Sequence, residues 1–154
     1  SKDLRYIDPE TNEKYLPYVI EPSVGVERLF LAVLCDAYDK ETLENGETRE
    51  VLHLIPALAP YKATILPLIK KVHGNKANEI YSELSKYFSV SYDESGSIGK
   101  RYRRCDAIGT PFTITVDDET LNNNIVTVRN RDTMQQETVK LSELKDYIEK
   151  SLEF

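Results

Sequence analysis

The chain has 154 residues, 40% of them hydrophobic and 30% charged, with a formal net charge of −6, a composition that suits one well-buried globular core and part of a second unit rather than a disordered or fibrous chain. Two cysteines, Cys35 and Cys105, and two isolated histidines, His53 and His73, predict neither a disulfide scaffold nor a metal centre, and suit a reducing, cytoplasmic setting. No apolar run approaches bilayer length, and a start at Ser-Lys-Asp with Met134 as the single methionine predicts a piece of a longer protein.

In chain order, "YLPYVI" (15–20) reads as a short strand, and Pro22 and Ser23 punctuate it before a helix over about 25–38. That helix is carried by Val26, Leu29, Phe30, Val33, Leu34 and Ala37 at helical spacing. The charged stretch 39–50, with Asn45-Gly46 and little apolar content, reads as a linker and divides the chain into units at 1–46 and 47–154. A buried strand follows at 62–67 with Pro67 at its end. A helix begins at Asn75 with Ala77, Ile80, Tyr81, Leu84, Tyr87 and Phe88 on one face. Then come a short strand (90–93), a helix (98–107), a strand (112–116), a turn, strands at 125–129 and 137–141, and a last helix at about 142–152. Helices between the first strands imply parallel crossovers, and consecutive later strands imply antiparallel pairing. The expected fold is α/β: a mixed five-stranded sheet flanked by three helices and preceded by a strand–helix remnant of another domain.

Two stretches carry chemistry. Residues 96–104, "GSIGKRYRR", place Lys100, Arg101, Arg103 and Arg104 behind two glycines. A phosphate loop needs Gly five positions before Gly99 and Ser or Thr after Lys100; Glu94 and Arg101 stand there instead. The run is open to a solvated reading, balanced by Asp93, Glu94 and Asp106. It is equally open to an RNA-binding one, because Tyr102 is interleaved and Arg129 and Arg131 form a second basic cluster. The stretch "EPSVGVERL" brackets a strand-to-helix turn with Glu21, Ser23 and Arg28, where a carboxylate and an arginine can meet a charged ligand.

"VIEPSVGVERLFLAVL" resembles the third signature motif of class II aminoacyl-tRNA synthetases in the form seen in glycyl-tRNA synthetases. "LAPYKATILPL", "YDESGSIGKRYRRCDAIGTPFTITVDDET" and "VTVRNRDTMQQ" resemble the C-terminal anticodon-binding domain of the homodimeric members of that family. The resemblance implies a catalytic-domain remnant at 1–46 and an anticodon-binding domain at 47–154. It implies that Arg28 contacts ATP and stabilises charge as glycine is activated, that Glu21 and Ser23 hold glycine, and that Glu21 also borders ATP. It assigns Lys100, Arg101, Tyr102, Arg104, Arg129 and Arg131 to the tRNA anticodon, with Arg101 and Arg104 favoured as one RNA-facing pair. Cys105 and Ala107 stand where the family often carries polar groups. The implied parent is a homodimer using ATP with Mg2+, glycine and tRNA(Gly), and the piece alone is expected to be inactive. The other reading is a non-catalytic nucleic-acid-binding accessory protein on the same fold, such as an accessory subunit of the mitochondrial DNA polymerase; a generic single-stranded RNA module would not need the N-terminal motif.

Overall fold

The computed structural model describes residues 2–152. Nine strands and five helices follow one another as β1 (Tyr6–Ile7), β2 (Lys14–Tyr15), α1 (Val26–Ala37), β3 (Tyr38–Thr42), β4 (Thr48–Leu52), β5 (Ala63–Pro67), α2 (Lys70–Leu84), β6 (Val90–Tyr92), α3 (Ile98–Ala107), β7 (Phe112–Val116), α4 (Asp118–Asn123), β8 (Ile125–Asn130), β9 (Gln136–Lys140) and α5 (Leu144–Lys150).

The main sheet has the order β6-β5-β7-β8-β9, with β5 parallel to both β6 and β7 and the remaining pairs antiparallel. It is the mixed five-stranded sheet that the sequence predicts. Alternation splits it into two chemically different faces. Ala63, Ile65, Phe112, Ile114, Val116, Val126, Val128 and Val139 join Ala77, Ile80 and Leu84 of α2 and Leu144 and Ile148 of α5 in one apolar core. The opposite face carries Thr64, Thr113 and Arg129 in one cross-strand row. Against it lies α3, where Tyr102 Oη meets Thr115 Oγ1 at 2.8 Å and Asp106 meets Arg129. A hydroxyl-rich face suits a helix whose inner side is polar.

Four expectations are corrected. Of the predicted strand at 15–20 only Tyr15 is paired, β2 running Lys14–Tyr15 against Tyr6–Ile7; Leu16, Tyr18, Val19 and Ile20 are exposed and unpaired. Pro17 removes a donor there and holds its neighbours extended. The predicted linker at 39–50 is an antiparallel hairpin, β3–β4, paired from Tyr38↔Leu52 to Thr42↔Thr48. Its turn is made by Asn45, whose Oδ1 accepts from the Glu47 amide at 3.0 Å, and by Gly46 at φ +80°. Helix α2 begins at Lys70, five residues before the predicted start at Asn75, because buried His73 accepts the Ile69 amide on Nδ1 at 3.0 Å and starts the helix there. The turn after β7 holds a short helix, α4, closed by a reciprocal capping pair between Asp117 and Thr120.

Candidate nucleic-acid interface

The basic helix α3 is placed by its two ends. Gly96, at φ +78°, turns the chain into it. At the other end the Gly109 amide donates to the Asp106 carbonyl at 3.1 Å and the Thr110 amide to the Cys105 carbonyl at 3.0 Å. That paired C-terminal closure requires a left-handed residue, which Gly109 supplies at φ +76°. The helix is then held with Arg101, Cys105 and Asp106 buried and with Lys100 and Arg104 exposed and Arg103 half-buried.

This orientation corrects the expectation for the basic residues. Arg101 and Arg104 do not act as one outward pair. Arg101 is 5% exposed and donates Nη1 to the Pro67 carbonyl at 2.7 Å. Arg129 and Arg131 do not complete a surface patch either, being 5% and 2% exposed. Arg129 makes a forked pair with Asp106, Nη1 to Oδ1 at 2.8 Å and Nη2 to Oδ2 at 3.1 Å. Arg49 of β4 reaches the same carboxylate, Nη1 to Oδ2 at 3.1 Å, and also the Arg131 carbonyl at 2.8 Å. Arg131 ties itself to the Gly109 and Leu54 carbonyls, both at 2.8 Å, and to Asp132. These guanidinium groups are internal braces between the hairpin, α3 and the sheet. The physical reason is spacing: 101, 102, 105 and 106 lie on one side of a helix and the sheet takes that side.

Lys100, Arg103 and Arg104 remain for a ligand. Arg104 is held by Asp93 Oδ2, Nε at 2.9 Å, and by the Ser95 carbonyl at 2.6 Å, while Arg103 makes, among the described residues, only a long contact of 3.5 Å to Glu47. Beside Lys100 and Arg103 lies a groove of about 380 Å³ lined by Leu43, Glu47, Gly99, Lys100, Tyr102, Arg103, Arg129 and Met134. Tyr102 stands at its wall with the Arg129 guanidinium carbon 5.0 Å from its ring centre. Flexible cations around an aromatic wall can take phosphate and a flat base together. The basic run marks α3 in the sequence, but the hairpin's share of the groove, Leu43 and Glu47, lies in the stretch that composition makes look like a linker; Asn45-Gly46 is the signal that points to a hairpin there.

Glu21, Ser23 and Arg28 are all exposed, the first two before α1 and the third in its first turn. The cavity beside α1, about 350 Å³, is walled by the apolar side chains of Val26, Leu29, Phe30, Val33 and Leu34 against Leu52, Leu54, Leu58, Pro60 and Ile108, without those three polar residues. They do not by themselves enclose a nucleotide or an amino acid. Among the described residues no helix is long and apolar enough to cross a membrane.

The family described as "Anticodon binding domain" matches residues 62–151. Over 153 residues the chain is 61% identical to a glycine–tRNA ligase of Clostridium beijerinckii and 58% identical to one of Geobacillus thermodenitrificans. Each match covers 99% of this chain and 33% of that protein, so the chain spans about a third of the length of these curated relatives. A solved RNA-binding domain of threonyl-tRNA synthetase from Cryptosporidium parvum superposes with a TM-score of 0.59 at 26% identity, over 64% of this chain and 25% of that one.

Proposed function

From the fact that the chain belongs to the anticodon-binding domain family, we propose that it is the tRNA-reading part of a glycine–tRNA ligase. The likeness to glycine–tRNA ligases runs through 99% of the chain, residues 15–46 included. The observation that carries the reading is the outward face of α3, where Lys100 and Arg103 flank the groove walled by Tyr102 and Arg104 is exposed on the same helix. Phosphates of an anticodon loop would lie along these cations while an unstacked base enters the groove. Reading as a non-catalytic polymerase accessory subunit finds no counterpart among these relatives.

Residues 1–46 are proposed as catalytic-domain sequence and 47–154 as the anticodon-binding domain, with the division in the turn of the β3–β4 hairpin. Glu21 and Ser23 would hold glycine and Arg28 would meet ATP, Glu21 bordering it, once the remaining walls are supplied by the rest of a protein about three times as long. ATP with Mg2+ supplies the activating phosphoanhydride in that parent, a cytoplasmic homodimer with tRNA(Gly) as its partner. What this chain contributes is electrostatic: Arg28 can stabilise negative charge and Glu21 can pair with an ammonium group.

The test is titration of the chain with an anticodon stem-loop of glycine tRNA and with one altered at the second and third anticodon bases, at several salt concentrations. The cognate stem-loop is expected to bind more tightly. Arg103→Ala should reduce the salt slope by about one if the side chain meets phosphate, or cost about 1–3 kcal/mol with the cognate RNA alone if it meets a base. Equal affinity for both RNAs reduces α3 to a nonspecific basic surface, and no binding by the folded chain overturns the reading.

A further inference from the structure

The hairpin brings together three side chains that the sequence keeps apart. Asp39 and Glu41 are two apart on β3 and so project from the same face. His53 lies two residues past Val51, the cross-strand partner of Asp39, and its amide extends the pairing to the Ala37 carbonyl at 2.6 Å. One donor atom from each of Asp39, Glu41 and His53 lies within 4.8 Å of the other two. We propose that these three residues form a site for a divalent transition-metal ion of the zinc type.

The strength of the case lies in how the donors are held. His53 Nδ1 is 2.6 Å from Asp132 Oδ1, a carboxylate outside the hairpin. Both ring nitrogens face carboxylates: Nδ1 donates to Asp132, and Nε2, 3.0 Å from Glu41 Oε1, is the nitrogen turned to the cluster and gives up its proton when the ion binds. A carboxylate on the far nitrogen is how ligating histidines are oriented and their basicity raised. The other oxygen of Glu41 accepts from Arg49 Nε at 2.5 Å, leaving Oε1 for the cluster. Asp39, Glu41 and Asp106 outnumber Arg49 and Arg129, so the local sum stays negative.

Imidazole nitrogen and carboxylate oxygen are donors that zinc accepts, three protein ligands leave it an open fourth position, and two carboxylates are too few oxygens for calcium. Donors at about 2.0–2.2 Å from zinc stand about 3.5 Å apart, so the cluster closes by about 1 Å around the ion, mostly through exposed Asp39. The ion would bridge β3 to the exit of β4. Through Asp132 it would also brace the turn between β8 and β9, whose Met134 lines the groove. The inference stands apart from the RNA reading and uses none of its cationic residues.

The test is spectroscopic titration of the tag-free chain with Co2+, followed by displacement with Zn2+. One equivalent of Co2+ is expected to give the visible bands of a four-coordinate nitrogen/oxygen site, and one equivalent of Zn2+ to remove them. Asp39→Asn and His53→Gln should each abolish saturable binding, while Asp132→Asn should weaken it 10–100-fold. Zn2+ should raise Tm in the parent chain and leave it unchanged in Asp39→Asn. Asp39 is exposed, so its variant tests the site even if His53→Gln fails to fold. Absence of saturable binding of either ion, or binding that survives Asp39→Asn or is lost only with His73→Gln, overturns the proposal.

Discussion

Asp106 is a fully buried carboxylate between Arg49 and Arg129, and its worth lies in keeping both guanidinium groups compensated. Asp106→Asn is expected to destabilise the fold by about 3–5 kcal/mol, read from urea unfolding, because buried Arg129 loses its carboxylate and Arg49 is left with Glu41 alone. A neighbour one position away gives a second expectation. Burial pushes the Cys105 thiol up to about 11, with Asp106 and Asp93 contributing and Thr64 and Arg104 opposing, while Cys35 is exposed. At pH 8 one thiol per native chain should alkylate and two per unfolded chain. A raised folded value means that the protonated thiol favours the native state below its ordinary value near 9. That contribution falls away as pH rises toward about 11, so alkaline destabilisation should be smaller in Cys105→Ala. At this scale the sequence showed which residues were basic but not which way they point. Arg101 and Arg104 are equivalent by type and three apart, and only the seating of α3 on a threonine-rich face separates them.

At the scale of elements, periodicity carried most of the fold: every strand of the main sheet lies within a residue or two of its expected position. The failures were local. Residues 39–50 looked like a linker because exposed hairpin strands need no apolar alternation, and its inward residues are Glu41, Arg49 and Val51 rather than a hydrophobic row. The start of α2 depended on His73 reaching back to the Ile69 amide, a bond that no composition reveals. The hairpin also explains a sensitive glycine at the end of α3. A Cβ on Gly109 would lie 2.9 Å from Leu54 Cδ1 and 3.0 Å from the Leu52 carbonyl oxygen, on a backbone at φ +76°. Gly109→Ala should therefore cost at least about 1–2 kcal/mol from backbone handedness alone, and more as the hairpin exit shifts. Thermal unfolding checks it, with Gly99→Ala as the control because its Cβ would meet open space.

Over the whole molecule, order is uneven, and the proteolytic map should show it. Residues 16–24 have no regular structure and expose Leu16, Tyr18, Val19, Ile20 and Val24, whereas the hairpin is paired along both strands. Limited proteolysis should cut first within 16–24 and spare 38–52, with mass spectrometry of the first fragments as the measurement; first cuts in the hairpin turn would restore the linker. In the full-length relatives, Glu21→Gln and Arg28→Ala should each lower glycine-dependent pyrophosphate exchange by orders of magnitude while RNA affinity survives. The buried charges have one more consequence, which is historical. Arg49, Asp106 and Arg129 come from three elements far apart in the chain and share one carboxylate. Loss of Asp106 alone strands the Arg129 charge in the interior, so that single step is closed. A coordinated change to apolar residues of similar volume is open and can be neutral or stabilising. Lineages are thus expected to keep Asp106 and Arg129 or exchange them together, and the double-mutant cycle Arg129→Met with Asp106→Leu should recover most of the stability that Asp106→Leu loses by itself, Arg49 keeping Glu41 as its partner.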